Sequence, residues 1–337
     1  MSLDLEQSRR AMGRRDLLAL GAAALAAHAL SARASEAWPA KPIRIIAGQA
    51  PGSSNDSTAR AFADYAAQKL GVPVVVENKP GGLGMIAAES VARSTPDGYT
   101  LLLSLHSQPA QAPALLKKLP IDTDKDLLPI AAMGVGPVVA VVNKDFPVQT
   151  LEQAIAYSKK KPINVGNYSI GSGWQLMLAQ LAKDTGGQFN VGNYKGTGAM
   201  LMDLYAGTID MGAGSLAGMG AGLDKGAVRP VVITVGDKSR RLPGIPRWVD
   251  AGFKGPAYED LAECNMLFAP AGTPPEVVRR LADLFTSSVN ESPRIKAVRE
   301  TLHEEGPILT GDPLRQFIQR TWPSYRRLTR ELNLVVD

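Results

Sequence analysis

From residue 38 onward, short apolar runs alternate with segments of helical periodicity. The runs "IRIIA", "YTLLLSL" and "RPVVITV" are continuous and apolar, which is typical of strands in a parallel sheet that is covered on both faces. Segments such as "STARAFADYAAQKL" and "WQLMLAQLAKDTG" repeat apolar residues every three to four positions and end near glycine, as amphipathic helices do. Alternation of this kind with short links predicts a doubly wound α/β protein.

The number of strand–helix units and the return to helices after "LFAPAGTPP" predict two lobes, with the chain crossing between them. We expect one lobe over residues 38–142 plus 265–337 and the other over 143–264. Thr150 and Gln153 have the spacing of a capping box, which predicts a helix start. Pro323 predicts a kink or break in the last helix.

Residues 1–37 have the pattern of an export signal rather than of a folded element. Arg14 and Arg15 precede a weakly apolar Ala/Leu stretch and small residues, which resembles a twin-arginine signal; a Sec signal with two incidental arginines is the alternative. The apolar stretch contains His28 and is shorter than the roughly 20 residues of a membrane span. We therefore expect a soluble protein that is exported to the periplasm.

Four loops rich in Ser, Thr and Gly lie where a predicted strand leads into a helix. Ligands of open α/β sheets bind at such junctions, and the exposed amides and hydroxyls of a helix start suit an anion. Ser, Asn and Asp also cap helices, so one such loop says little by itself. The four together favour a binding site shared between the lobes: the first loop (Gln49–Asp56), the second loop (Ser104–Ser107), the third loop (Ser169–Trp174) and the fourth loop (Lys195–Gly198).

Composition argues against several other classes of protein. The net charge is +5, with basic residues scattered and few aromatic ones, which predicts no nucleic-acid partner. Cys264 is the only cysteine, stands in the apolar run "CNMLFAP" and is expected to be a buried thiol. No phosphate-binding or dinucleotide-binding glycine motif occurs and no His/Cys/carboxylate cluster is visible, so we expect no cofactor and no metal.

Catalysis remains an alternative at this point. An extracytoplasmic hydrolase could use Ser172 or Ser215 with His106, although alanines replace the glycines that a nucleophile elbow would place around Ser215. For His106 three roles are open: a general base, a ligand contact, or a structural residue.

The chain resembles the Bug receptors, the receptor family of tripartite tricarboxylate transporters. The blocks that carry the resemblance span the mature chain: "KPIRIIAGQAPGSSNDSTAR", "VVVENKPGGLGMIAAESVARSTPDGYTLLL", "KKLPID", "YKGTGAMLMDLYAGTID", "RRLPGIPRWVDAGF" and "LFAPAGTPPEVVRRL". It implies a two-lobed, periplasmic Venus-flytrap protein of type II-like fold, not an enzyme. Such a receptor captures a small organic carboxylate, for membrane components of a tripartite tricarboxylate transporter or for sensing, and we expect a monomer.

Some positions depart from the family pattern. Ser53 stands in place of the second loop glycine, Gln175 in place of a histidine and Asn193 in place of a proline, while Trp174 adds bulk. Trp174 and Tyr168 could face an aromatic acid or could pack inside the lobe. The residues predicted to bind the carboxylate are Gly52, Ser53, Ser54, Asn55, Asp56, Ser104, His106, Ser107, Ser169, Gly171, Ser172, Lys195, Gly196, Thr197 and Gly198. Asp56 is expected either to cap the helix or to contact a ligand ammonium or hydroxyl group.

Overall fold

The computed structural model describes residues 38–134, 136–194, 196–235, 239–304 and 306–334. The predicted export signal, residues 1–37, lies outside these residues. Residues 41–337 form one compact unit, and the elements below all belong to it. Among the helices that the structure describes, none combines the length and apolar character needed to cross a bilayer.

Strands and helices alternate along the chain, as the hydrophobic pattern predicts. The strands are β1 (Ile43–Ala47), β2 (Val74–Asn78), β3 (Thr100–Leu105), β4 (Leu127–Gly134), β5 (Val138–Asn143), β6 (Ile163–Asn167), β7 (Phe189–Asn193), β8 (Met211–Ser215), β9 (Val228–Val235), β10 (Cys264–Pro270) and β11 (Leu309–Thr310). The α-helices are α1 (Ser54–Leu70), α2 (Met85–Ala92), α3 (Ser107–Leu115), α4 (Leu151–Ser158), α5 (Gly173–Thr185), α6 (Thr197–Ala206), α7 (Leu216–Asp224), α8 (Pro256–Glu259), α9 (Pro275–Glu291), α10 (Pro293–Leu302) and α11 (Gly311–Glu331).

The strands form two sheets with the same arrangement of directions. The orders are β11-β4-β10-β3-β1-β2 and β7-β6-β8-β5-β9. In each sheet three strands are parallel, and one antiparallel strand, β10 or β5, stands between them and the next strand. Both antiparallel strands follow a crossing from the other sheet, which is why they enter in the opposite direction. The predicted doubly wound, two-lobed α/β fold is confirmed.

The first crossing lies earlier in the chain than predicted. β5, with residues 138–143, pairs with β8 and β9 of the second sheet, whereas residues 38–142 were assigned to the first lobe. The chain therefore leaves the first sheet between Gly134 and Val138. The apolar run of β5 suits either sheet, and only its pairing with distant strands decides which one it joins. The rest of the lobe division stays a prediction.

Two local sequence signals can be compared with the structure: the helix start predicted at Thr150 and the kink or break predicted at Pro323. One half of the capping box is present, because the Thr150 hydroxyl accepts the Gln153 amide 3.3 Å away. The Gln153 side chain accepts the amide of Gln149, 2.7 Å away, rather than that of Thr150. The prediction of a break at Pro323 is wrong, because α11 continues through this residue. Trp322, Tyr325 and Leu328 are buried on both sides of the proline, and this burial holds both halves of the helix on the core.

Candidate functional site

At Gly171 the third loop, which follows a strand of the second sheet, lies against elements that follow strands of the first sheet. This residue of the third loop follows β6, and a Cβ added to it would lie 2.9 Å from Gln111 Oε1. The same Cβ would lie 3.4 Å from the side chains of Leu115, also on α3, and of Leu83, in the turn after β2. Loops from both sheets therefore face one another, as ligand sites of open α/β sheets require.

The first loop is ordered by its own side chains. Ser53 is the N-cap of α1, and its hydroxyl accepts the Asp56 amide at 3.1 Å. Asp56 is buried, and its carboxylate accepts the Gly52 amide at 3.0 Å and Asn78 Nδ2 at 2.8 Å. It also pairs with Arg60 at 3.0 Å. Asp56 therefore occupies the third helical position and is not the cap, and its oxygens are directed at the loop itself.

These contacts make the contribution of Asp56 to the stability of the folded protein depend on pH. Burial by itself would raise the pKa of Asp56, but hydrogen bonds from Gly52, Arg60 and Asn78 outweigh it and lower the pKa. A depressed carboxyl pKa contributes stability above its unfolded value, near 4, and this contribution is lost as the pH falls through the folded value. We expect Asp56→Asn to cost about 1–3 kcal/mol at neutral pH and the difference from wild type to shrink below about pH 4. Urea unfolding at several pH values tests this; a difference that is constant with pH contradicts it.

Buried polar side chains fix the first and second loops to the strands behind them. Asn55 Nδ2 donates to Asn265 Oδ1 on β10 at 3.2 Å, and Asn265 Nδ2 donates to Thr58 Oγ1 at 3.2 Å. In the second loop Ser104 Oγ donates to Gln108 Oε1 at 2.8 Å. The side chains of Asn55 and Ser104, both predicted to bind ligand, are thus engaged inside the first lobe.

His106 lies in a closed environment. It is fully buried, and its ring packs against Phe317 and Tyr325 with centroid distances of 5.0 and 5.6 Å. Nδ1 accepts the Cys264 amide at 3.3 Å, while Nε2 has no hydrogen-bond partner within the described part of the chain. Burial lowers the pKa of His106 to about 3, so the ring is neutral at physiological pH. Of the three roles left open, a structural one fits these contacts best.

The third loop is tied together around Ser172. The Ser172 hydroxyl donates to Asn167 Oδ1 at 2.7 Å and accepts the Gln175 amide at 3.2 Å as the N-cap of α5. Gln175 Oε1 in turn accepts the Gly171 amide at 3.0 Å. Asn167 Nδ2 donates to the carbonyl oxygen of Ser169 at 2.8 Å. The hydroxyl hydrogen of Ser172 is therefore already used inside the loop.

The two aromatic residues considered for an aromatic ligand differ in position. Trp174 is 1% exposed, and its indole nitrogen donates to the Gly166 carbonyl at 3.2 Å, so it packs inside the lobe. Tyr168 is half-buried beside the third loop, and burial raises the pKa of its hydroxyl well above 10.

The fourth loop is hydrogen bonded to the backbone immediately before the third loop. The Gly196 amide donates to the Tyr168 carbonyl at 2.9 Å. Gly196 is the N-cap of α6 and has no side chain to cap it, so the first helical amides, of Thr197 and Gly198, have no partner among the described residues. The Thr197 hydroxyl also has no partner there. Lys195, the predicted cation of this loop, lies outside the described residues.

Glu263 is a central residue that the sequence does not single out. It precedes β10 and is 5% exposed. Its Oε1 accepts the Gly173 amide at 3.1 Å, and its Oε2 accepts the Ser107 hydroxyl at 2.9 Å. Gly173 and Ser107 begin α5 and α3, so one carboxylate serves the helix starts of both the second and the third loop. Glu263 lies 90 residues after Gly173 and 156 residues after Ser107 along the chain, so only the fold reveals these contacts.

The four helix starts differ in how many of their donors are already used. At α5 Glu263 accepts the Gly173 amide and Ser172 caps the Gln175 amide. At α3 Glu263 accepts only the Ser107 hydroxyl, and at α1 Ser53 caps only the Asp56 amide. At α1 and α6 the amides of Ser54, Asn55, Thr197 and Gly198 have no partner among the described residues, and neither have the Ser54 and Thr197 hydroxyls. Unpartnered amides at a helix start attract anions, so the donors available for a carboxylate lie one set in each lobe.

A cavity of about 460 Å³ lies away from these loops. Its wall includes Thr234, Trp248, Tyr258 and Arg320, and none of the predicted ligand-binding residues.

The family model for the tripartite tricarboxylate transporter family receptor matches residues 58–334. The chain belongs to this receptor family. The resemblance read from the sequence blocks is thereby confirmed, and the family is one of solute-binding receptors rather than enzymes.

Individual relatives agree with this assignment. A UPF0065 protein of Bordetella pertussis is 34% identical over 305 residues, which cover 90% of each chain. The solved periplasmic binding protein BugD is 26% identical with a TM-score of 0.76, over 88% of this chain and 99% of BugD. MatC of Rhodopseudomonas palustris, solved with bound malate, is 27% identical with a TM-score of 0.72, over 86% of this chain and 99% of MatC.

The contacts of the two candidate serines also disfavour the hydrolase alternative. Ser172 donates to Asn167, and Ser215 accepts the Gly218 amide at 3.1 Å as a helix cap. Neither serine hydrogen bonds to His106, whose Nδ1 accepts a backbone amide. A serine nucleophile needs a base within hydrogen-bond reach, and His106 does not supply one here.

Proposed function

We propose that this receptor captures a small organic dicarboxylate outside the cytoplasm. The observation that carries the proposal is that the starts of α1 in one lobe and α6 in the other each offer backbone amides without a partner among the described residues. Each offers backbone amides and a hydroxyl and no carboxylate of its own free to repel an anion. A ligand with an anionic group at each end can engage both lobes at once.

The identity of the donors supports a carboxylate. An ionised carboxylate accepts hydrogen bonds and donates none, so amides and hydroxyls are its best neutral partners. The Asp56 carboxylate does not disturb this arrangement, since its oxygens are directed at Gly52, Arg60 and Asn78. MatC, a relative of similar fold, was solved with malate, which is a dicarboxylate of the proposed class.

A thermal-shift screen of the mature protein tests this function. The panel contains malate, succinate, adipate, citrate, benzoate and glutamate at millimolar concentration. A ligand at about 100 times its dissociation constant stabilises the folded state by about 2.7 kcal/mol, which raises the melting temperature measurably. We expect dicarboxylates to give the largest shifts. A panel in which no acid shifts the melting temperature contradicts the proposal.

Family membership and the signal pattern of residues 1–37 together support a proposal for the cellular role. We propose export to the periplasm through the twin-arginine pair Arg14 and Arg15, and delivery of the cargo by a monomeric receptor to membrane components of a tripartite tricarboxylate transporter. Sensing without a transporter uses the same binding site, and a transporter deletion that leaves the cellular response to the acid intact would favour it.

A further inference from the structure

Glu263 joins elements of the two lobes at the second crossing of the chain. Its carboxyl group is buried and accepts from Ser107, at the start of α3 in the first lobe, and from Gly173, at the start of α5 in the second. The Tyr325 hydroxyl of α11 lies 3.4 Å from Oε1. All of these partners are neutral donors, and they fix the position of the carboxyl group between the second and third loops.

The groups that face Glu263 carry no charge at neutral pH. Tyr325 from α11, Tyr168 from the third loop and Cys264 on its own strand each have a pKa raised well above the usual value by burial. His106, which packs on Tyr325, has its pKa lowered to about 3 by burial and is neutral as well. Among the described residues no cation contacts Glu263. Its charge is therefore not compensated by a neighbouring positive group.

We propose that Glu263 is a proton-coupled positioning residue: it holds the starts of α3 and α5 in place, and it takes up a proton when an anionic cargo binds in the adjoining loops. The proposal rests on the proposed carboxylate-binding function. β3 pairs in parallel with β1, so the start of α3, where Ser107 contacts Glu263, shares an edge of the first sheet with the start of α1, where the anion is proposed to bind. In a dry site, two such negative charges repel strongly unless one is neutralised.

The resting protonation state suits this role. Burial raises the pKa of Glu263 to about 7, against the hydrogen bonds from Gly173, Ser107 and Tyr325. A second negative charge nearby raises that pKa further, so cargo binding near neutral pH is accompanied by net proton uptake. By the same linkage, affinity falls as the pH rises, because the ionised carboxyl must first be neutralised. Affinity should weaken about threefold to tenfold from about pH 6.5 to about pH 8.5, where the cargo's own carboxyl groups are ionised throughout.

Calorimetric titration of malate, or of the tightest-binding acid of the panel, measures both quantities on the wild-type protein. Proton uptake comes from titrations in two buffers with different ionisation enthalpies. Glu263→Gln keeps an oxygen for the Gly173 amide and an NH₂ group for Ser107 Oγ, so it should fold, bind with little dependence on pH and take up no proton. Two variants serve as controls: Glu276→Gln removes an exposed carboxyl on α9, and His303→Gln removes a half-buried imidazole that contacts Arg241. Both should retain the wild-type pH dependence.

A measurement without cargo keeps the proposal testable if the glutamine variant binds poorly. A folded pKa of about 7, above the usual glutamate value of 4.5, means that the folded state holds the proton more tightly, so wild-type stability falls as the pH rises between these values. The melting temperature of Glu263→Gln relative to wild type should therefore rise across this interval. A constant difference overturns the proposal, as does acid binding without proton uptake at pH 7. A protein that binds none of the acids overturns the proposed function itself, and the proposal with it.

Discussion

Gly171→Val is expected to abolish capture of the carboxylate, with a loss of at least about 100-fold in affinity. Gly171 has φ of +75°, a conformation that valine adopts only with strain. Its added Cβ would lie 2.9 Å from Gln111 Oε1 and would push the third loop away from α3 and the turn at Leu83. The carboxyl ends of the two sheets would then separate, and the donors of the two lobes could no longer reach one ligand together. Calorimetry with the acid found in the screen measures the loss.

Helix α5, which begins two residues after Gly171, provides a matched control for backbone strain at its other end. Gly186 ends α5 with φ of +72°, and a Cβ there meets no atom within 4 Å. Gly186→Val therefore carries a similar backbone penalty without obstructing the contact between the lobes. If the two variants bind the acid equally well, steric separation of the lobes is not the reason for any loss, and the third loop does not set the geometry of the site.

The alternation of strands and helices is readable from the sequence because it is a local property. Continuous apolar runs and helical periodicity depend on residues within one element, and most predicted elements are present. The sequence pattern does not predict α3, because Pro109 and Pro113 interrupt its helical periodicity. In the structure seven of the nine residues of this helix are buried, and local propensity does not reveal that burial.

Which sheet a strand joins and which partners a side chain contacts depend on residues far apart in the sequence. These features are therefore harder to predict. β5 has an apolar run that fits either sheet, and pairing with β8 and β9 decides its place. Ser172 shows the same limit at the scale of one side chain. A serine at a helix start serves equally as a cap or as a ligand donor, and only its contacts with Asn167 and Gln175 reveal that its hydroxyl is engaged.

Glu263 illustrates the part of the site that sequence patterns miss. Its local context, "LAECNM", has no motif and reads as the start of a buried strand. Its chemistry arises from being placed between the starts of α3 and α5, which the chain reaches long before it. The predicted loops are all at strand–helix junctions, but which donors at the starts of α3 and α5 are already used depends on this one distant carboxylate.

Gly136→Ala is expected to destabilise the protein by about 3 kcal/mol or more. Gly136 lies between β4 and β5, where the chain first crosses between the sheets, and has φ of +73°. A Cβ at this position would overlap the carbonyl group of Leu302 at the end of α10, and this backbone group cannot rotate away as a flexible side chain could. The Gly136 amide also donates to Glu304 Oε2 at 2.8 Å, a hydrogen bond to a charged acceptor that any displacement would weaken.

Urea unfolding of wild type and variant measures the loss, and Gly226→Ala separates its two causes. Gly226 has φ of +63° with no atom within 4 Å of an added Cβ, so its replacement reports the backbone penalty alone, about 1 kcal/mol. The excess at Gly136 then measures the steric overlap and the weakened bond to Glu304. Equal losses at the two glycines would show that the end of α10 yields freely, and the first crossing would not be the rigid connection that these contacts indicate.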